Sequence, residues 1–128
     1  DGRTVLTDNG SGANLAIIPA TGETVTAQVV KGQKEPYLLG WTLKSGLECE
    51  PIPVACYQFG GAGVQTRAWV FYPLKPGQTE LPVVTPTAQG FTVQVGARSD
   101  TVTLGEKPRL SLTRREGAAV TTVMTVAP

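Results

Sequence analysis

Histidine is absent from the 128 residues and cysteine occurs twice. Without an imidazole the chain lacks the side chain that titrates nearest neutral pH and serves most often as a general base. Cys49 and Cys56, seven positions apart in "CEPIPVAC", cannot supply the four Cys or His ligands of a structural zinc site, and C-x-x-C spacing is missing. Charge is also sparse. Charged residues make up 16% of the chain, and 11 Lys plus Arg against 10 Asp plus Glu give a net +1, scattered along the sequence. No basic footprint for nucleic acid or anionic lipid results. No apolar run approaches the roughly 20 residues of a membrane helix. The amino end "DGRTVLTDNG" has none of the three regions of a signal peptide and no initiating Met, which suggests a mature form or a piece of something longer. The expectation is a soluble chain with no metal, no cofactor, no nucleic acid and no membrane partner.

Turn residues are plentiful: "DNGSG", "ATG", "KGQKEP", "KSG", "GGAG", "KPGQ", "TPTAQG", "GEKP" and "REG" recur at short intervals. The runs between them are rich in Val, Thr, Tyr, Phe and Leu, and Gly or Pro interrupts almost every window long enough for a helix. Several runs alternate, as strands with one wet face do. Phe91, Val93 and Val95 oppose Thr92 and Gln94, and Val25, Ala27 and Val29 oppose Thr24, Thr26 and Gln28. Leu110 and Leu112 oppose Arg109, Ser111 and Thr113, while Val120, Thr122, Met124 and Val126 group together. With no repeat or linker, residues 1–128 read as one all-β domain, an antiparallel two-sheet β-sandwich of about ten strands.

The stretch "RAWVFYPLKPGQTELP", residues 67–82, departs from the alternation. Ala68, Val70 and Tyr72 form one face and Arg67, Trp69 and Phe71 the other, so both faces are apolar. A third layer of the same chain, another domain or subunit, or stacking sugar rings would each explain the outward indole and phenyl. The mid-strand position favours protein cover over a lectin platform.

A search for chemistry returns little. Ser11, Ser45, Ser99 and Ser111 lack G-x-S-x-G context, and "GGAG" lacks phosphate-loop spacing. Asp8 and Asn9 in "TDNGSG" read as a turn. Glu48 and Glu50 would share a strand face about 7 Å apart, but Glu-x-Glu ahead of two prolines reads as a solvated edge. The cysteines form either a local disulfide across a Pro-rich loop between strands or a pair of packed thiols. No catalytic, cofactor or metal residue is assigned.

The order "ANLAIIP", "VVKGQKEPYLLGWTLKSG", "PIPVACYQF", "TRAWVFYPLKPGQTELPVV", "FTVQVGARSDTVTLG" resembles the carboxyl-terminal β-domain of the heparinase II/III-like polysaccharide lyases over roughly residues 13–104. The matching positions are Pro36, Gly40, Trp41, Pro53, Tyr72, Pro73, Pro76, Gly77, Asp100 and Val102. The resemblance implies an accessory module of a periplasmic or secreted bacterial enzyme that cleaves uronic-acid polysaccharides by β-elimination. Catalysis then belongs to an α/α toroid and a central sandwich, and none of their motifs occurs in this chain. Partners would be those catalytic domains of the parent chain and, secondarily, polysaccharide. Tyr37, Trp41, Trp69 and Phe71 are the aromatics for a domain interface or a glycan. A free-standing carbohydrate-binding module and an immunoglobulin-like adhesion domain are the competing classes, although the immunoglobulin Cys-Trp-Cys order is absent.

Overall fold

A computed structural model describes residues 3–20, 22, 24–105 and 110–126. Within them the chain is all-β: β1 (Val5–Leu6), β2 (Asn14–Pro19), β3 (Val25–Lys31), β4 (Trp41–Ser45), β5 (Glu48–Pro51), β6 (Pro53–Phe59), β7 (Trp69–Leu74), β8 (Val83–Thr87), β9 (Gly90–Val95), β10 (Arg98–Leu104), β11 (Leu110–Glu116) and β12 (Ala119–Val126). All pairings are antiparallel. Twelve strands lie in four hydrogen-bonded sheets, where the sequence suggested about ten in two. The surplus arises because turn-rich segments such as 48–53 are themselves strands. The expected turn at 105–108 and the position of Arg109 fall largely outside the described residues.

Strands β8 to β12 form a five-stranded meander in spatial order β12-β11-β10-β9-β8. Short turns join β8 to β9, β9 to β10 and β11 to β12, and each strand pairs with its sequence neighbour. Register places Phe91, Val102 and Leu112 side by side on one face. That face meets the three-stranded sheet β1-β2-β7. From the latter, Ala16, Ile18 and Leu74 are buried, with Val70 and Tyr72 packed around them, and Leu81 and Val84 close the cluster. A second cluster joins Ala20, Phe91 and Val102 to Ala68, Val70, Val93, Leu110 and Leu112. Ala68, Val70 and Tyr72 therefore face the core, and Trp69 and Phe71 the opposite side.

The buried apolar set among the described residues is small: Ala16, Ile18, Ala20, Val25, Leu74, Phe91 and Val102. A core this thin makes whatever packs on the outer faces energetically important.

Register also corrects the carboxyl-terminal strand. A bulge in β12 opposite Leu112/Thr113 sets Met124 against Leu112 but Thr121 against Arg114 and Val120 against Arg115. The inserted residue reverses the alternation. Val120 thus lies on the opposite face from Met124 and Val126.

Candidate functional site

The two remaining sheets are one structure. β3 pairs with β6 from Val25↔Phe59 to Lys31↔Pro53, and β4 pairs with β5 from Trp41↔Pro51 to Ser45↔Glu48. Only Ile52 separates β5 from β6, and its N–H donates to Gly40 O at 2.9 Å. The result is a single long ribbon whose first arm is interrupted by an excursion at residues 32–40. Gly32 N–H donates to Gly40 O at 3.0 Å, and Gln33 and Leu39 exchange backbone bonds at 2.9 and 3.1 Å, closing the neck of the excursion. Gly40 sits at φ 75°, and a Cβ there would lie 2.8 Å from Val30 O and 2.9 Å from Ile52 O. Only glycine permits both the left-handed backbone and that approach. Trp41 secures the same neck, its indole N–H donating to Gln33 O at 2.8 Å with the Lys34 ammonium 5.9 Å from the ring.

One face of the ribbon docks on the outer face of β1-β2-β7. Tyr57 donates its hydroxyl to Ile17 O at 3.1 Å. The Tyr57 and Trp69 rings lie edge to face, centroids 5.8 Å apart, and Phe59 is tilted at 6.5 Å from Trp69. The Arg67 guanidinium lies over Phe59 at 4.9 Å. Burial pushes the Tyr57 hydroxyl above its ordinary pKa, partly offset by a backbone hydrogen bond from Val5. The answer to the dry second face is a third layer of the same chain, and it is partial. Trp69 is half-buried and its Nε1 has no hydrogen-bond partner among the described residues, whereas Phe71 remains 64% exposed.

Beyond the sheet the ribbon continues without cover. Alternation puts Cys49, Pro51, Pro53, Ala55, Tyr57 and Phe59 on one face, with Trp41 opposite Pro51 and Leu43 opposite Cys49. The other face carries Thr42 and Glu50, and Lys44 reaches Glu50 at 3.5 Å. The docking face thus extends outward as a largely apolar strip, with Lys31 on the same face opposite Pro53. Towards its hairpin end Leu43 is 69% exposed and Leu47, in the turn, 97%, while Tyr37 and Leu38 on the separate excursion are also largely in solvent. Nearer the body, Val5, Leu6 and Ile17 face Val29, Pro53 and Ala55 across an apolar groove of about 390 Å³.

The cysteines fall on this ribbon, not in a loop between strands. Cys49 is in β5 and Cys56 in β6, and the paired extended backbone between them spans about 20 Å. They also lie on opposite faces. A disulfide needs Cα atoms within about 7 Å, and both thiols are free. Prolines 51 and 53 were the misleading signal, since on an edge strand they are compatible with pairing.

The other candidates for chemistry resolve into scaffold. Asp8 Oδ1 accepts Gly10 N–H at 3.0 Å, a side-chain-closed turn. Glu50 is engaged by Lys44 and Glu48 is exposed. The "GGAG" loop lines an open depression of about 710 Å³ with Thr24, Gln65 and Thr66, where Arg67 pairs with Gln65 Oε1 and Gly60 O. No three His, Cys, Asp or Glu side chains gather into a metal-sized group among the described residues. One ionic feature had no sequence signal. Asp100, buried on the inward face of β10, accepts two hydrogen bonds from Arg114 at 2.8 and 3.0 Å and lies 3.6 Å from Arg98. The Arg114 hydrogen bonds hold its carboxyl below the usual range against the opposing effect of burial.

No family model, curated protein or solved structure matches the chain. The positions that carried the resemblance serve as scaffold. Pro36, Gly40, Trp41 and Pro53 shape the ribbon, Pro76 and Gly77 turn the chain after β7, and Tyr72, Asp100 and Val102 face inward.

Proposed function

We propose that this chain is a non-catalytic accessory β-sandwich module that packs against the catalytic domains of a heparinase II/III-like polysaccharide lyase outside the cytoplasm. One observation carries the reading. The ribbon face that seats Tyr57 and Phe59 on Trp69 passes Ala55 and Pro53, which face β1 and β2 across the groove, and runs on through Pro51, Cys49 and Leu43, all exposed. A strip continuous with an internal packing face has the character of an interdomain surface. In the sandwich, the five-stranded and three-stranded sheets are the two layers, with the ribbon applied outside. Uronate β-elimination needs a base for the C5 proton and a group to neutralise the carboxylate. No constellation of that kind forms among the described residues, so the chemistry is assigned to the partner domains.

The test is incubation of the chain with heparan sulfate, alginate and hyaluronan, following the absorbance of unsaturated uronate and, separately, the heat of binding. The expected result is a flat absorbance trace and no saturable heat. Absorbance that grows in proportion to the chain refutes the non-catalytic role. Saturable heat that disappears in Phe71→Ala would instead favour the carbohydrate-binding class, because Phe71 is the exposed ring beside Trp69.

A further inference from the structure

The five-stranded sheet ends in two unlike edges. On β8, Pro86 lacks a backbone donor, Pro82 precedes the strand, and the Pro86 side chain lies 3.3 Å from where a Cβ on Gly22 would stand. That edge is blunted by proline and by an adjoining loop, as natural edges are. β12 has none of these devices except its bulge. It is the longest strand, eight residues reading "AVTTVMTV", without charge or proline, exposed at every position and paired only with β11. On its inward face Met124 and Val126 lie beside Leu112 and Leu110, extending the apolar surface past the limit of the three-stranded sheet. Val120, Val123, Met124 and Val126 are each about half exposed.

We infer that β12 is a self-association edge: a second copy of this chain adds its own β12 antiparallel, joining two five-stranded sheets into one continuous sheet. The open ladder fixes the occupant as an extended strand, and the composition selects another β12. Across a two-fold axis every pair is drawn from Ala, Val, Thr and Met, the β-branched cross-strand partners that stabilise sheets, and no like charges meet. Pairing along the strand forms about eight main-chain hydrogen bonds and buries roughly 1,000 Å² in total, at the lower limit of a specific interface. The bulge opposite Leu112/Thr113 twists the edge and holds the strength down. Dissociation is therefore expected in the micromolar to sub-millimolar range. The inference does not rest on the lyase reading.

Sedimentation velocity of the intact chain from about 5 to 500 μM tests it over that range. The wild-type mass should shift from monomer towards dimer. Thr122→Lys and Thr122→Glu, near the centre of the strand, should each weaken association at least about tenfold, with unfolding temperatures near wild type. Their equimolar mixture should regain a dimer, a result that misfolding or loss of an unrelated contact cannot produce. A wild-type chain monomeric at the highest concentration, association unchanged in both variants, or a mixture that stays monomeric would each overturn the inference.

Discussion

Replacing Trp69 with alanine removes the side chain on which the third layer rests. Emptying a buried aromatic site costs about 3–5 kcal/mol, and edge-to-face partners contribute about 0.5–1.5 kcal/mol each beyond area. Trp69 has two such partners, Tyr57 at 5.8 Å and Phe59 at 6.5 Å, but is only half-buried. The lower end, about 3 kcal/mol, is the expected loss. For a domain of this size that lowers the unfolding temperature by about 10 °C. Urea denaturation followed by far-ultraviolet circular dichroism gives the free energy directly, provided the slope against denaturant stays constant. Phe71→Ala is the internal control, since the ring is 64% exposed on the same strand face, and should cost no more than about 1 kcal/mol. Amide exchange adds a second readout. Trp69→Ala should deprotect β3 and β6 more than the five-stranded sheet. Equal small losses in the two variants, or a Trp69→Ala cost below about 1 kcal/mol, would refute the claim that the ribbon is a packed layer.

Three further outcomes are expected. Asp100→Asn should cost about 2 kcal/mol, the value of charge-assisted hydrogen bonds from Arg114; urea midpoints check it. Because the folded carboxyl titrates below its ordinary value, its stabilisation is complete above the unfolded pKa near 4 and lost as pH falls through the lower folded value. The midpoint at acid pH should therefore drop more in wild type than in Asp100→Asn. Gly40→Ala should cost about 3 kcal/mol through the left-handed backbone and the 2.8 Å approach to Val30 O, and thermal unfolding measures it. Cys49→Ser with Cys56→Ser should leave the fold intact, and thiol titration of the denatured wild type should count two free thiols; one disulfide there would contradict the extended ribbon.

Much of the architecture was readable because strand alternation is a local property. The faces of Phe91, Val93 and Val95, and the division of Val70 and Tyr72 from Trp69 and Phe71, follow from period two alone. What escaped depended on pairing between distant segments. Nothing local in "CEPIPVAC" says that it lies extended against Lys31 and Trp41, so its prolines read as loop and the strand count from sequence falls short. A single bulge reversed the face of Val120, because periodicity has no means of locating one extra residue. The exposed strip and tip were missed for a different reason. Leu38 and Leu47 stand in turn-like segments, "PYLLG" and "KSGLECE", where an apolar residue is ordinarily discounted, and only the ribbon geometry shows one on the excursion and the other at the hairpin turn. The Asp100 and Arg114 pair likewise needed the β10–β11 register before the fourteen-residue separation became a contact.

The proposed accessory role is tested most directly by titration calorimetry of this chain against the toroid and central sandwich of a heparinase II/III-like lyase, supplied as a separate polypeptide. Saturable one-to-one binding with a dissociation constant of about 10 μM or tighter is expected, as an interdomain-sized surface should give. The double variant Leu43→Ser, Leu47→Ser, at the exposed end of the ribbon, should bind at least about tenfold more weakly while unfolding at the wild-type temperature. No heat at chain concentrations of about 100 μM, or equal affinity in the variant, would contradict the ribbon as a docking surface for catalytic domains.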